Sequence, residues 1–135
     1  MCTKTVVWTN GCFDIIHEGH LSLFKYARSL GDELLVGIDT DRRVKERKGD
    51  SRPVNDQNNR FINLLSLPDV KNVFIFDSDT QLRNLIKQFN VDIMVVGDDY
   101  RDKEVIGSEY ADDVKFFTKK AGYSTTKIIN GYSKI

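Results

Sequence analysis

The feature that most constrains this chain is an alternation of short apolar runs, rich in β-branched residues, with longer stretches of helical periodicity. Residues 5–9, 34–38 and 92–97 are continuous runs of that kind, and each ends where charged or Gly-containing loops begin. Residues 72–76 and 114–117 are weaker strand candidates that bring the number to five. Between the first two runs, residues 18–30 carry Leu23, Phe24, Ala27 and Leu30 on one helical face, and Gly31 stands where a C-cap glycine belongs. Asn55 is placed to cap a helix containing Phe61, Ile62, Leu64 and Leu65. Asp79 or Thr80 is placed to cap another through Leu82, Leu85, Ile86 and Phe89. The alternation predicts a single α/β domain over residues 1–135, with a doubly wound, mostly parallel sheet and helices on both faces. Ligands are then expected in the crevice at the strands' carboxyl ends. The most polar stretch, residues 42–59, is predicted to be a surface loop, a lid over that end.

Composition narrows the function by exclusion. Twenty basic and twenty acidic residues cancel, so a nucleic-acid partner has no electrostatic footprint beyond a local patch between Arg42 and Arg52. Cys2 and Cys12 are too few for a disulfide framework. Neither a signal-peptide pattern nor an apolar run near the roughly 20 residues of a membrane span is present, so a cytoplasmic protein without a membrane partner is expected.

The densest constellation follows the first predicted strand: Thr9-Asn10-Gly11-Cys12-Phe13-Asp14-Ile15-Ile16-His17-Glu18-Gly19-His20. It enters a helix, whose first N–H groups and positive dipole end favour an anion, and Gly19 permits close approach. His17 and His20 are the chain's only histidines, and their spacing sets both imidazoles on one side of the first helical turn. Imidazoles there suit nucleotidyl transfer, in which a substrate phosphate attacks the α-phosphorus of a triphosphate and pyrophosphate leaves. The attacking phosphate is largely ionised at neutral pH, its second pKa being about 6, so the reaction needs donors and positioning rather than a nucleophilic side chain. A zinc-protease pair would be four residues apart with a third ligand, and the chain has neither. A helix cap with two surface histidines is the bland alternative.

A second constellation, Gly122-Tyr123-Ser124-Thr125-Thr126-Lys127-Ile128-Ile129, offers successive hydroxyls at a predicted helix start. The loop Gly97-Asp98-Asp99-Tyr100 follows a strand end and reads either as a turn or as part of a nucleotide pocket. A triphosphate needs more positive charge than two histidines supply. Lys48 and Arg60 are the leading candidates to provide it, with Lys45 as the substitute.

With these residues in view, the chain resembles the cytidylyltransferase-like family of HxGH nucleotidylyltransferases over nearly its whole length. His17-Glu18-Gly19-His20 matches the first signature, and Ser124-Thr125-Thr126 with Ile128 or Ile129 matches the second, about a hundred residues on. The resemblance implies a Rossmann-like sheet of order 3-2-1-4-5, a Mg²⁺–nucleotide substrate and a homodimer. It places Cys12 and Phe13 along the nucleotide, His17 and His20 on the triphosphate, and Lys48 on the transferred phosphate with Arg60 assisting. Gly97, Asp99 and Tyr100 would line the base and ribose pocket, and Gly122, Ser124, Thr125 and Thr126 would close over it. Asp14 is read as an ordering residue next to the substrate, and Lys45 as a further substrate contact.

Two branches of the family come closest. One adenylylates heptose 1-phosphate with ATP and shares Lys48-Gly49-Asp50-Ser51-Arg52-Pro53-Val54-Asn55 and Ile106-Gly107-Ser108. The other cytidylylates glycerol 3-phosphate with CTP and shares Gly97-Asp98-Asp99 with an aromatic Tyr100. Lys119-Lys120-Ala121-Gly122-Tyr123 stands where the second branch carries Arg-Thr-Glu-Gly-Ile, which weighs against CTP. The heptose branch is commonly fused to a kinase domain that this length does not accommodate, so the sugar phosphate is expected from elsewhere. The competing class is a non-catalytic nucleotide-binding module.

Overall fold

Successive side chains along the central strands enter opposite apolar clusters, so each strand is buried on both faces. Leu34, Val36 and Ile38 enter one apolar cluster and Leu35 the other; on the neighbouring strand Val7 and Trp8 divide the same way. The structure, a computed structural model, describes residues 4–97 and 104–118. Its strands are β1 (Val6–Gly11), β2 (Glu33–Asp39), β3 (Asn72–Phe76), β4 (Ile93–Gly97) and β5 (Asp113–Phe117). All pairings are parallel, in the order β3-β2-β1-β4-β5. The helices are α1 (Glu18–Ser29), α2 (Asp41–Lys48), α3 (Gln57–Leu65) and α4 (Asp79–Gln88).

Helices cover both faces. Leu23, Phe24 and Ala27 of α1 and Leu64 of α3 close the first cluster, while Leu82 and Ile86 of α4 pack with Trp8, Phe76 and Met94 in the second. The predicted doubly wound sheet and its strand order are thus the observed ones. Pairing of β1 with β2 runs to Gly11, whereas pairing with β4 is limited to Val7 and Trp8. The two strands therefore part beyond Trp8, and a crevice opens where the strand order reverses.

Three local expectations need correction. Residues 41–48 form α2 rather than loop: Thr40 caps it, Asp41 stands in the first turn, and Lys45, Arg47 and Lys48 fill the last. With Val44 as its one buried residue, the helix carries no apolar periodicity to betray it. Helices α3 and α4 are capped by Asp56 and Ser78, not by Asn55 and Asp79 or Thr80. Gly31 is not a left-handed cap; a Cβ there would lie 2.8 Å from the carbonyl oxygen of Thr5, so the glycine provides room.

Gly37 performs a similar service in β2, since its Cβ would fall 2.5 Å from Cζ2 of Trp8 and 3.2 Å from the Phe76 ring. Gly37→Ala is expected to destabilise the fold by about 1–3 kcal/mol through overpacking, read as a lower urea midpoint at unchanged m-value.

Candidate functional site at the first βα turn

The turn after β1 is built around Phe13, whose φ of 48° lies in the left-handed region that bulky residues avoid. Its neighbours hold it there. The next residue, Asp14, is 3% exposed, and its carboxylate accepts from the Arg52 Nε at 3.0 Å and the backbone amides of Val54 and Asn55 at 2.8 and 2.7 Å. The Asn55 side-chain amide donates to the Asp14 carbonyl at 2.6 Å. These bonds fasten the loop before α3 to the turn.

His17 is the N-cap of α1, and its Nδ1 accepts from the Gly19 amide at 3.0 Å. His20 reaches back, its Nδ1 accepting from the His17 amide at 3.4 Å in a capping box. A backbone amide can only donate, so each Nδ1 carries a lone pair and each ring bears its proton on Nε2. The rings stack with centroids 3.9 Å apart and an interplanar angle of 23°, and Phe13 meets His20 edge-on at 5.2 Å. The backbone thereby fixes tautomer and orientation in both imidazoles. Two of the amides expected to face an anion, those of His17 and Gly19, are occupied by the imidazoles, so the rings stand where the bare helix end would have been.

Arg60 is 0% exposed. Its Nη1 donates to the carbonyls of Cys12 at 3.0 Å and Asp39 at 2.8 Å, its Nε to Asn55 at 3.0 Å, and its Nη2 to the Asp41 carboxylate at 2.8 Å. Expected to assist at the phosphate, Arg60 has all three of its nitrogens engaged by the protein. Asp14, expected beside the substrate, is likewise filled by the protein's own donors. Lys45 is exposed and donates to the Arg52 carbonyl at 3.3 Å. Lys48 is exposed and lines a cavity with Asn10, Gly11, Cys12, Asp39, Val44 and Arg47. Gly97 lines the adjoining crevice, and Asp99, Tyr100, Gly122, Ser124, Thr125 and Thr126 lie outside the described residues.

The crevice also contains residues that the sequence did not single out. Asn10 and Asp39 are at the ends of β1 and β2, and Arg43 and Arg47 are one turn apart on α2. A carboxylate closing an apolar strand, as Asp39 does, was the available signal. The basic run is largely compensated: Arg42 pairs with Asp77 and Glu46, Arg43 with Asp39 and Asp79, and Arg52 with Asp14. Burial is the main influence raising the Cys12 thiol above its usual 9.0, the carboxylates of Asp14 and Asp39 adding to it while Lys48 and Arg60 oppose it. Among the described residues no cluster of three or more His, Cys, Asp or Glu could hold a metal ion, and no helix is long and apolar enough to cross a membrane.

A doubly wound parallel sheet with a crevice where its strand order reverses is an architecture that places ligands at the strands' carboxyl ends. The chain belongs to the Cytidylyltransferase-like family, whose model it matches over residues 8–131. It is 54% identical over 127 residues to the bifunctional protein HldE of Campylobacter fetus subsp. fetus, covering 94% of this chain and 28% of that one. It is 46% identical over 126 residues to bifunctional HldE of Helicobacter pylori strain Shi470, covering 93% and 27%. The chain thus spans little more than a quarter of the length of these curated relatives. Among solved structures it is similar to a lipopolysaccharide core biosynthesis protein from Thermoplasma volcanium GSS1. The TM-score is 0.69 at 25% identity, over 87% of this chain and 98% of that one.

Two outcomes check this geometry. Arg60→Met leaves the Asp41 carboxylate and three carbonyls without their donor and is expected to lower stability by about 3–5 kcal/mol in chemical denaturation. Because the raised thiol is neutral at pH 7 and ionises only as pH climbs past 9, alkylation of Cys12 by iodoacetamide should be slow at neutral pH. Peptide mass spectrometry should show it accelerating in that alkaline window.

Proposed function

We propose that this chain transfers the adenylyl group of ATP to heptose 1-phosphate, releasing pyrophosphate and forming an ADP-linked sugar. The observation that carries the reading is the stacked, backbone-locked imidazole pair at the carboxyl end of β1. Identity of 46–54% to bifunctional HldE proteins and the shared segment at residues 48–55 favour the heptose branch over glycerol 3-phosphate and CTP.

In this reading a phosphate oxygen of the sugar attacks the α-phosphorus, its new P–O bond forms as the bond to the β-phosphate oxygen breaks, and pyrophosphate leaves with the electron pair. The Nε2 protons of His17 and His20 donate to phosphate oxygens, where negative charge rises in the transition state. Lys48 adds positive charge from the end of α2, and Mg²⁺ enters with ATP as part of the substrate. Cys12, Phe13 and Gly97 lie along the nucleotide, with Asp99, Tyr100, Gly122, Ser124, Thr125 and Thr126 completing its pocket. Arg60, Asp14 and Arg52 act as positioning residues. A homodimer is part of the proposal; Leu21 on α1 and Ile62 and Leu65 on α3, exposed at 44, 61 and 42%, offer apolar surface for it. A cytoplasmic location is proposed for the chain.

Pyrophosphate release is to be measured over ATP, CTP, GTP and UTP, each with heptose 1-phosphate and with glycerol 3-phosphate. Release requiring ATP and heptose 1-phosphate is expected; tight nucleotide binding without release would mark a non-catalytic module instead. His20→Ala should lower kcat about 10²–10³-fold, the cost of about 2.7–4 kcal/mol for a lost transition-state donor. His17→Asn keeps a capping side chain and should lose turnover to a similar degree with little change in melting temperature. Full turnover in both variants would remove the imidazoles from the mechanism.

A further inference from the structure

The two arginines on α2 that border the crevice are held very differently. Arg43 is mostly buried, its Nε donating to Asp39 at 2.9 Å and its Nη2 to Asp79 at 3.0 Å, with the guanidinium 5.4 Å from the Phe76 ring centroid. Arg47 has a side chain 55% exposed and approaches the same Asp39 carboxylate only at 3.6 Å, beyond hydrogen-bonding range. It lines the crevice between β1 and β4 and also the adjoining cavity beside Gly11, Cys12 and Lys48.

We propose that Arg47 is a specificity-determining residue: it leaves Asp39 to grip the phosphate of the acceptor, while Arg43 stays in place. This rests on the nucleotidyl-transfer reading above. The move is inexpensive, since a long, half-exposed ion pair contributes little. It also strands no charge, because the Asp39 side chain, 5% exposed, retains its hydrogen bond from Arg43.

Position selects the acceptor rather than the triphosphate. The imidazoles pack through Phe13 against Phe24, on the α1 side of the sheet, whereas the crevice wall near Arg47 is made of Phe76 and Leu82, on the α4 side. Phosphates held on these two sides approach the end of β1 from opposite directions, as an in-line displacement needs.

The remaining lining suits a polyhydroxy phosphate ester. Trp8 Nε1 donates to Asn10 Oδ1 at 3.0 Å, which orients that amide and presents its NH₂ group as a donor, and Asp39 offers acceptor oxygens. Glu104, also in the wall, is held by Arg83 at 3.2 Å. A triphosphate would meet two carboxylates there, whereas sugar hydroxyls can donate to them.

The test compares the wild-type chain with Arg47→Gln, Arg47→Lys and Arg43→Gln, using ATP and heptose 1-phosphate in turnover and heptose 1-phosphate alone in calorimetry. Arg47→Gln should raise both KM and Kd for heptose 1-phosphate roughly 10–100-fold, the loss of a charge-assisted hydrogen bond, with KM for ATP within about twofold. Arg47→Lys should recover part of the loss. The melting temperature should fall for Arg43→Gln and hold for Arg47→Gln. An unchanged Kd for heptose 1-phosphate, a rise in the KM for ATP instead, or a melting loss in Arg47→Gln that matches its binding loss would overturn the assignment. Should the wild type bind heptose 1-phosphate yet release no pyrophosphate, the reaction reading fails while the Kd comparison still decides the role of Arg47. Absence of binding to the wild type overturns that role as well.

Discussion

One buried guanidinium holds the floor of the site together. Strands that end at a crevice leave carbonyl groups pointing into it, and a buried carbonyl without a donor costs free energy comparable to a lost hydrogen bond. Arg60 answers this at three chain segments at once, taking the carbonyls of Cys12 after β1, Asp39 at the end of β2 and Asn55 before α3. Placing a full charge at 0% exposure is costly in itself. The Asp41 carboxylate and the planar fork of donors offset that cost only because every partner stands in place, so the geometry of one segment enforces that of the others.

Asp14 extends the same constraint to the first βα turn. Its carboxylate and carbonyl accept from Arg52, Val54 and Asn55, so the loop anchored by Arg60 from below is anchored again from the side. Between those anchors Phe13 is kept at a positive φ that it would not choose alone, and a strained conformation survives where its surroundings over-determine it. The ring so placed presses its edge on His20, and the His20–His17 stack follows. Packing, strain and the orientation of two imidazoles are one connected arrangement.

This explains which parts were legible in the sequence. Strand runs and the faces of α1 and α4 are patterns of burial written in local order, and the three-residue spacing of His17 and His20 fixes their shared side. The bonds Arg60 makes to the protein could not be read from the sequence, because a charged residue near a signature motif looks like a ligand contact until its burial is known, whereas Asp14, read as an ordering residue, does tie the loop before α3 to the turn. The helix α2 was hidden for the opposite reason: Val44 is its one buried residue, so capping by Thr40 and the charge order along its turns, not periodicity, specify it. Asn10, Asp39, Arg43 and Arg47 meet only when β1, β2 and α2 converge, and no spacing along the chain announces that.

The charge balance at the crevice follows from these placements. A chain with equal numbers of acids and bases can still gather positive charge locally if some of its arginines are paired with carboxylates elsewhere and a few cations are left at the opening. Arg42, Arg43, Arg52 and Arg60 are committed in this way, and Arg47 and Lys48 stand at the cavity beside Cys12. A thiolate there would cancel one of those cations. Burial works further against it, since desolvation outweighs the pull of Lys48 and Arg60 and raises the Cys12 thiol above its usual 9.0. The same desolvation that holds the Cys12 thiol protonated therefore leaves the charges of Arg47 and Lys48 uncancelled by it at neutral pH.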